Sequence, residues 1–154
     1  MNKAKIIAKL RESVARGKLP TGLKITCRTG GGMPSERVEE ELTIHGGQAN
    51  VRSRNMLTTA VPQESGGSVE SEELAELVGE MAEGLESLVT RAEARFLPDS
   101  PIGTITVEVD GESEELYYLD DDEPEVAEGP SAPKMKRAIL RLRTMSKRIK
   151  GGSA

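Results

Sequence analysis

Aromatic side chains are nearly absent from this sequence. Its 154 residues hold one Phe, two Tyr and no Trp, 2% in all. Aromatics bury about 150–250 Å² each and dominate many cores, so here Leu, Ile, Val and Met must build the core, which is expected to be small. Platforms that stack single-stranded nucleic acid need exposed aromatic rings, and three rings in the chain argue against such a reader. A single cysteine, Cys27, excludes an internal disulfide and fits a reducing cytoplasm, the expected location. The single histidine, His45, leaves any imidazole-based metal site or Ser-His-Asp arrangement hanging on one residue at a strand end. His45 therefore reads as an ordinary hairpin residue, and Cys27, at an inward strand position, as an inert buried thiol. No apolar run reaches the length of about 18 residues that a membrane span needs. Lys9 and Arg11 interrupt the apolar stretch that follows Met1, which lacks the apolar region of a signal peptide. No catalytic residue, metal or cofactor is expected.

Charge is abundant but unevenly placed. The formal net charge is −5, yet residues 1–30 sum to +7, residues 61–130 to −19 and residues 131–154 to +8. A chain basic at both ends and acidic between them is expected to have a charged tail, a partner surface, or ends that fold back on its middle.

The hydrophobic spacing divides the chain into elements. Ile6, Ile7, Leu10 and Val14 fall on one face of a basic helix over 2–17, with Gly17 and Pro20 as stops. Leu23, Ile25 and Cys27 alternate with polar residues as in a half-buried strand. Val38, Glu40, Leu42 and Ile44 form a second, and Gly46-Gly47 is a hairpin turn into a third over 48–54, with Ala49 and Val51 inward. Residues 58–68 have no periodicity and read as a loop. From Ser71, read as the cap, Leu74, Leu77, Val78, Met81, Leu85, Leu88, Val89, Ala92 and Phe96 recur at three and four residues, predicting an amphipathic helix of about 25 residues. Glu72 and Glu73 suit its positive end, Arg91 and Arg95 its negative end. Ile105, Val107 and Val109, the turn Asp110-Gly111 and the return Glu115 to Leu119 make a second hairpin. A last helix over 134–149 carries the stripe Met135, Ile139, Leu142, Met145 and Ile149.

The expected fold is α+β: a mostly antiparallel sheet of about five strands with one long helix packed on a face, plus short basic N- and C-terminal helices. The parts are a basic N-terminal helix (1–20), a core domain (21–119), an acidic loop (120–133) and a basic C-terminal helix and tail (134–154).

Few motifs carry chemistry. Gly30-Gly31-Gly32 is followed by neither a Lys-Ser or Lys-Thr pair nor a helix start, so it is a flexible turn rather than a phosphate loop. Asp120-Asp121-Asp122-Glu123 lacks the order and glycine of a calcium loop and reads as a solvated acidic run. The C-terminal helix presents Lys134, Lys136, Arg137, Arg141, Arg143, Lys147 and Arg148 with no acidic residue. Such a helix either docks on the chain's own acidic middle or binds an external anion, and the pattern alone leaves both readings open, as it does for the N-terminal helix.

Leu23-Lys24-Ile25-Thr26-Cys27-Arg28-Thr29-Gly30-Gly31-Gly32, then Glu73-Leu74-Ala75-Glu76-Leu77-Val78, then Ile105-Thr106-Val107-Glu108-Val109-Asp110-Gly111 stand in an order that resembles the emfourin-type proteins over about residues 22–119. That family comprises small protein inhibitors of thermolysin-like metalloproteases. The resemblance implies an inhibitor or a related binding module with a metalloprotease as its partner, and the missing catalytic constellations, the two glycine-rich turns and the charge asymmetry point by themselves to a non-catalytic protein-binding module. The expected contact residues are the turns Gly30, Gly31, Gly32, Met33, Pro34 and Gly46, Gly47, with the basic C-terminal helix as a second surface. The alternative is a nucleic-acid-associated accessory protein that grips phosphates through its basic terminal helices.

Overall fold

In the computed structural model, the described residues are 2–20, 22–31, 38–55, 61, 63–90, 102–120 and 123–151. The chain runs α1 (Asn2–Arg16), β1 (Lys24–Gly31), β2 (Val38–His45), β3 (Gln48–Asn55), β4 (Gln63–Ser68), α2 (Ser71–Gly84), β5 (Ile102–Val109), β6 (Glu112–Leu119) and α3 (Ala132–Lys150). The six strands form one antiparallel sheet in the order β4-β3-β2-β1-β5-β6. The first four strands meander to one side of β1. The chain then crosses through α2 and places the β5–β6 hairpin on the other side. The class is the α+β arrangement expected, with one strand more.

Alternation sets which face is covered. Ile25 stands between Ile44 and Val107, and Cys27 between Leu42 and Ile105; all six are buried. The three helices lie on that face. α1 rests against β5 and β6, α3 rests against β3 and β4, and α2 lies between α1 and α3. Side chains from all three helices and from five of the strands make one continuous core. The other face of the sheet is polar. Thr43, Thr26 and Thr106 stand in cross-strand register there, beside an Arg28–Glu41 ion pair at 2.9 Å.

The turns follow local chemistry. Gly17 (φ +67°) ends α1 in a left-handed conformation; its N–H donates to Val14 O, and that of Lys18 to Ser13 O, both at 3.1 Å, which satisfies the last carbonyls. Asp110 and Gly111 both have positive φ, as a two-residue hairpin turn requires.

Four expectations change. Residues 63–68, read as part of a loop, form β4. Ser65 and Gly67 pair with Val51 and Ala49 on the covered face, and a Cβ on Gly67 would stand 3.3 Å from Ile149. The strand carries small residues because α3 lies on it, so no apolar alternation marks it. The helix of about 25 residues has 14. It stops at Gly84, passes through a 3-10 turn over Leu85–Ser87, and Val89 then bridges Tyr117 of β6. Leu85 and Leu88 are fully buried all the same, so the periodicity continues through a change of backbone; residues 91–100, with Arg91, Ala92, Arg95 and Phe96, lie outside the described residues. Ser71 is not the cap: the cap residue is the extended Glu70, without a side-chain cap bond, and Ser71 opens the helix. Among the described residues the longest helix is instead α3, with 19 residues. No described helix is long and apolar enough to cross a membrane.

Candidate protein-binding surface

The glycine turns do not converge. Gly30 and Gly31 close β1, and Gly32, Met33 and Pro34 lie outside the described residues. Gly46 (φ +63°) and Gly47 form the exposed β2–β3 turn. The length of β2, about 27 Å at roughly 3.4 Å per residue, separates Gly31 at the end of β1 from the Gly46 turn, so these residues sit at opposite ends of the sheet.

The Gly46 end meets something else. After Gly17 turns the chain out of α1, Leu19 and Pro20 cross the end of the helix layer. Leu19 walls two neighbouring hollows. One, of about 330 Å³, lies between α1 and α2 against Val14, Ala75 and Val78. The other, of about 130 Å³, is lined by Pro20, Leu23, Ile44, His45, Gly46 and Leu74. Val14 is 48% and Leu19 43% exposed, whereas Ile6, Ile7 and Leu10 of the same helix are buried. The expected α1 stripe therefore splits: its first turns enter the core and Val14 leaves it. The furrow can receive an apolar side chain, with the hairpin turn and His45 at its rim. Leu19 escaped the sequence reading because it belongs to no periodic element; the one signal was an apolar residue between a helix stop and a proline.

The basic helices are docked. On α1, Lys9 pairs with Asp110 at 3.3 Å and Arg11 with Glu86 at 3.6 Å, while the Lys3 ammonium donates to Leu88 O at 2.7 Å. On α3, Arg141 reaches Glu76 at 3.0 Å and Glu80 at 2.8 Å, and Arg148 reaches Glu73 at 2.8 Å. Lys134 pairs with Glu83 at 3.4 Å and Arg143 with Asp120 at 2.7 Å. Arg148 hydrogen bonding holds the Glu73 carboxyl below its ordinary value. On the sheet side, Ser146 Oγ donates to Glu40 at 3.0 Å and Lys150 pairs with the same carboxylate at 2.5 Å. Exposed pairs contribute only about 0.2–1 kcal/mol each, whereas each buried Leu, Ile or Met of the α3 stripe contributes about 1.5–3 kcal/mol. The stripe therefore drives docking and sets the rotation of the helix about its axis, and the pairs form on the flanks that this rotation brings to α2 and to the sheet.

The described residues hold no group of three His, Cys, Asp or Glu able to bind a metal ion. Asp121 and Asp122 lie outside them, and Asp120 is taken by Arg143. Cys27 Sγ lies 3.7 Å from Tyr118 Oη. Burial pushes its thiol from an ordinary 9.0 to about 11, against a smaller opposing effect of the Tyr118 hydrogen bond. A thiolate reagent at neutral pH is therefore expected to label Cys27 only in denaturant. Because burial favours the neutral thiol, its contribution to stability is complete below about pH 9 and disappears as pH rises through about 11. Rapid labelling of the folded chain at neutral pH contradicts the inert assignment.

No family model matches the sequence, and no curated protein matches it. The described residues form a two-layer α+β domain, with a six-stranded antiparallel sheet under three helices.

Proposed function

We propose that this domain is a non-catalytic protein-binding module. The observation that carries this reading is the apolar furrow around Leu19, where two exposed aliphatic side chains border hollows that run to the Gly46 turn. The finer form of the proposal is an inhibitor or regulator of a protease. The three strings that resemble emfourin-type inhibitors fall on β1, α2 and β5, which makes a thermolysin-type metalloprotease the first partner to test. The nucleic-acid reading is the weaker one, because five of the eight cations on α3 already pair with carboxylates of this chain.

The test compares the chain with Leu19→Asp, matched for folding by circular dichroism, in affinity capture at low and high salt. The expected result is a protein partner retained at high salt and lost with the variant. A buried Leu contributes about 1.5–3 kcal/mol, so affinity should fall about 10- to 100-fold. Capture of nucleic acid alone, released at high salt, overturns the reading. Peptide hydrolysis by a thermolysin-type protease, titrated with the chain, tests the finer form, which fails if the rate stays constant.

A further inference from the structure

The eight cations of α3 sort into three arcs around its axis. At 3.6 residues per turn, Lys134, Arg141 and Arg148 face α2, where its glutamates receive them. Arg143 and Lys150 lie on the other flank, held by Asp120 and Glu40. Lys136, Arg137 and Lys147 occupy the outermost arc; all three are exposed and have no ion-pair partner among the described residues. Among them stands Leu140, 48% exposed, on a helix whose inward Met, Ile and Leu residues are at most 4% exposed. Arg137, Leu140, Thr144 and Lys147 succeed one another at three- and four-residue intervals, a line of about 15 Å at 1.5 Å per residue. Arg137, Leu140 and Thr144 also border a shallow hollow of about 310 Å³.

We propose that this outer arc of α3 docks an acidic amphipathic helix of another protein, whose carboxylates pair with Lys136, Arg137 and Lys147 while an apolar side chain rests on Leu140. This surface is separate from the furrow around Leu19 and goes beyond the reading built on it. Charge complementarity selects the occupant. The three cations need not leave an internal carboxylate in order to bind, and the aliphatic residue among them gives an amphipathic helix a contact that a phosphate chain cannot use. A second copy of this chain would offer α2, whose Glu73, Glu76, Glu80 and Glu83 are already paired within the chain.

The test uses the full chain and three probes: a synthetic helical peptide of Glu with Leu at every third and fourth position, a polyglutamate of equal length, and a short DNA duplex. Affinities are measured by fluorescence anisotropy. The Glu/Leu peptide should bind tightest. Combining Lys136→Glu, Arg137→Glu and Lys147→Glu should weaken it about tenfold or more, the sum of three exposed pairs. Leu140→Ser should weaken it about threefold or more through lost apolar contact. All four side chains are exposed, so the variants should keep the wild-type circular dichroism spectrum and unfolding midpoint. Leu19→Asp should bind the peptide like wild type, which separates this surface from the furrow. Four results overturn the proposal: unchanged affinity in the triple variant, tighter binding of DNA than of the peptide, equal binding of polyglutamate and the Glu/Leu peptide, or sedimentation showing wild-type self-association that the triple variant abolishes.

Discussion

Replacing Gly84 by alanine should destabilise the domain by about 3 kcal/mol, the upper part of the usual range for an overpacked interior. A Cβ at Gly84 would lie 2.6 Å from the backbone nitrogen of Met135 and 2.7 Å from its Cα. Backbone atoms cannot rotate aside as a side chain can, so the end of α2 and the start of α3 must separate. Met135 and Leu85, both fully buried at this junction, would then lose their packing. Gly79 in the same helix is the control. Nothing lies within 4 Å of a Cβ there, so Gly79→Ala should stabilise the chain by about 0.5–1 kcal/mol through helix propensity alone. Urea unfolding of both variants, compared at constant m-value, measures the difference. Equal midpoints would mean that α2 and α3 do not meet at Gly84.

The second large effect lies in the sheet. Gly103 of β5 pairs with Tyr118 of β6, and the Tyr118 ring lies over it with the residue only 1% exposed. A Cβ on Gly103 would overlap the ring, 2.5 Å from Cε1. Gly103→Ala should therefore drive the ring from its buried position and cost about 3 kcal/mol. Tyr118→Ala should cost about 3–5 kcal/mol, the usual loss for an aromatic deleted from a core. The two costs share one cause. With the ring gone, the added methyl enters the space it left, and the double variant should be more stable than the sum of the single effects predicts, by about 1–2 kcal/mol. Additive effects in that cycle would show that Tyr118 does not cover Gly103.

These two glycines also mark how much of the molecule could be read in advance. Alternation over Leu23 to Cys27, Leu42 to Ile44 and Ile105 to Val109 names the buried face of each strand correctly. A period of two records burial on one side, and those strands are covered on one side only. Gly46-Gly47 and Asp110-Gly111 declare their turns because positive φ is unfavourable for most residues and free for glycine. β4 was not legible: Ser65 and Gly67 are inward because they are small, and smallness under a helix leaves no hydrophobic signal. The end of α2 was hidden for a related reason. Leu85 and Leu88 are as deeply buried in a 3-10 turn and an extended residue as they would be in a helix, so their spacing alone could not show the break.

The candidate surfaces divide in the same way. The basic character of the two terminal helices and the acidity of residues 61–130 belong to the sequence, as do the α+β class, the core-facing stripes and the inward placement of Cys27. Which cations are neutralised belongs to the tertiary structure alone. Lys134, Arg141 and Arg148 differ from Lys136, Arg137 and Lys147 only in their angle about α3, and that angle acquires a meaning once the buried stripe has turned the helix toward α2. Likewise Val14 is one more member of a stripe until α1 ends beyond the edge of the core, and Leu19 is an isolated leucine until Gly17 folds it back against α2. Spacing along the chain determines which residues share a face; which faces find a partner depends on contacts between segments far apart in the chain.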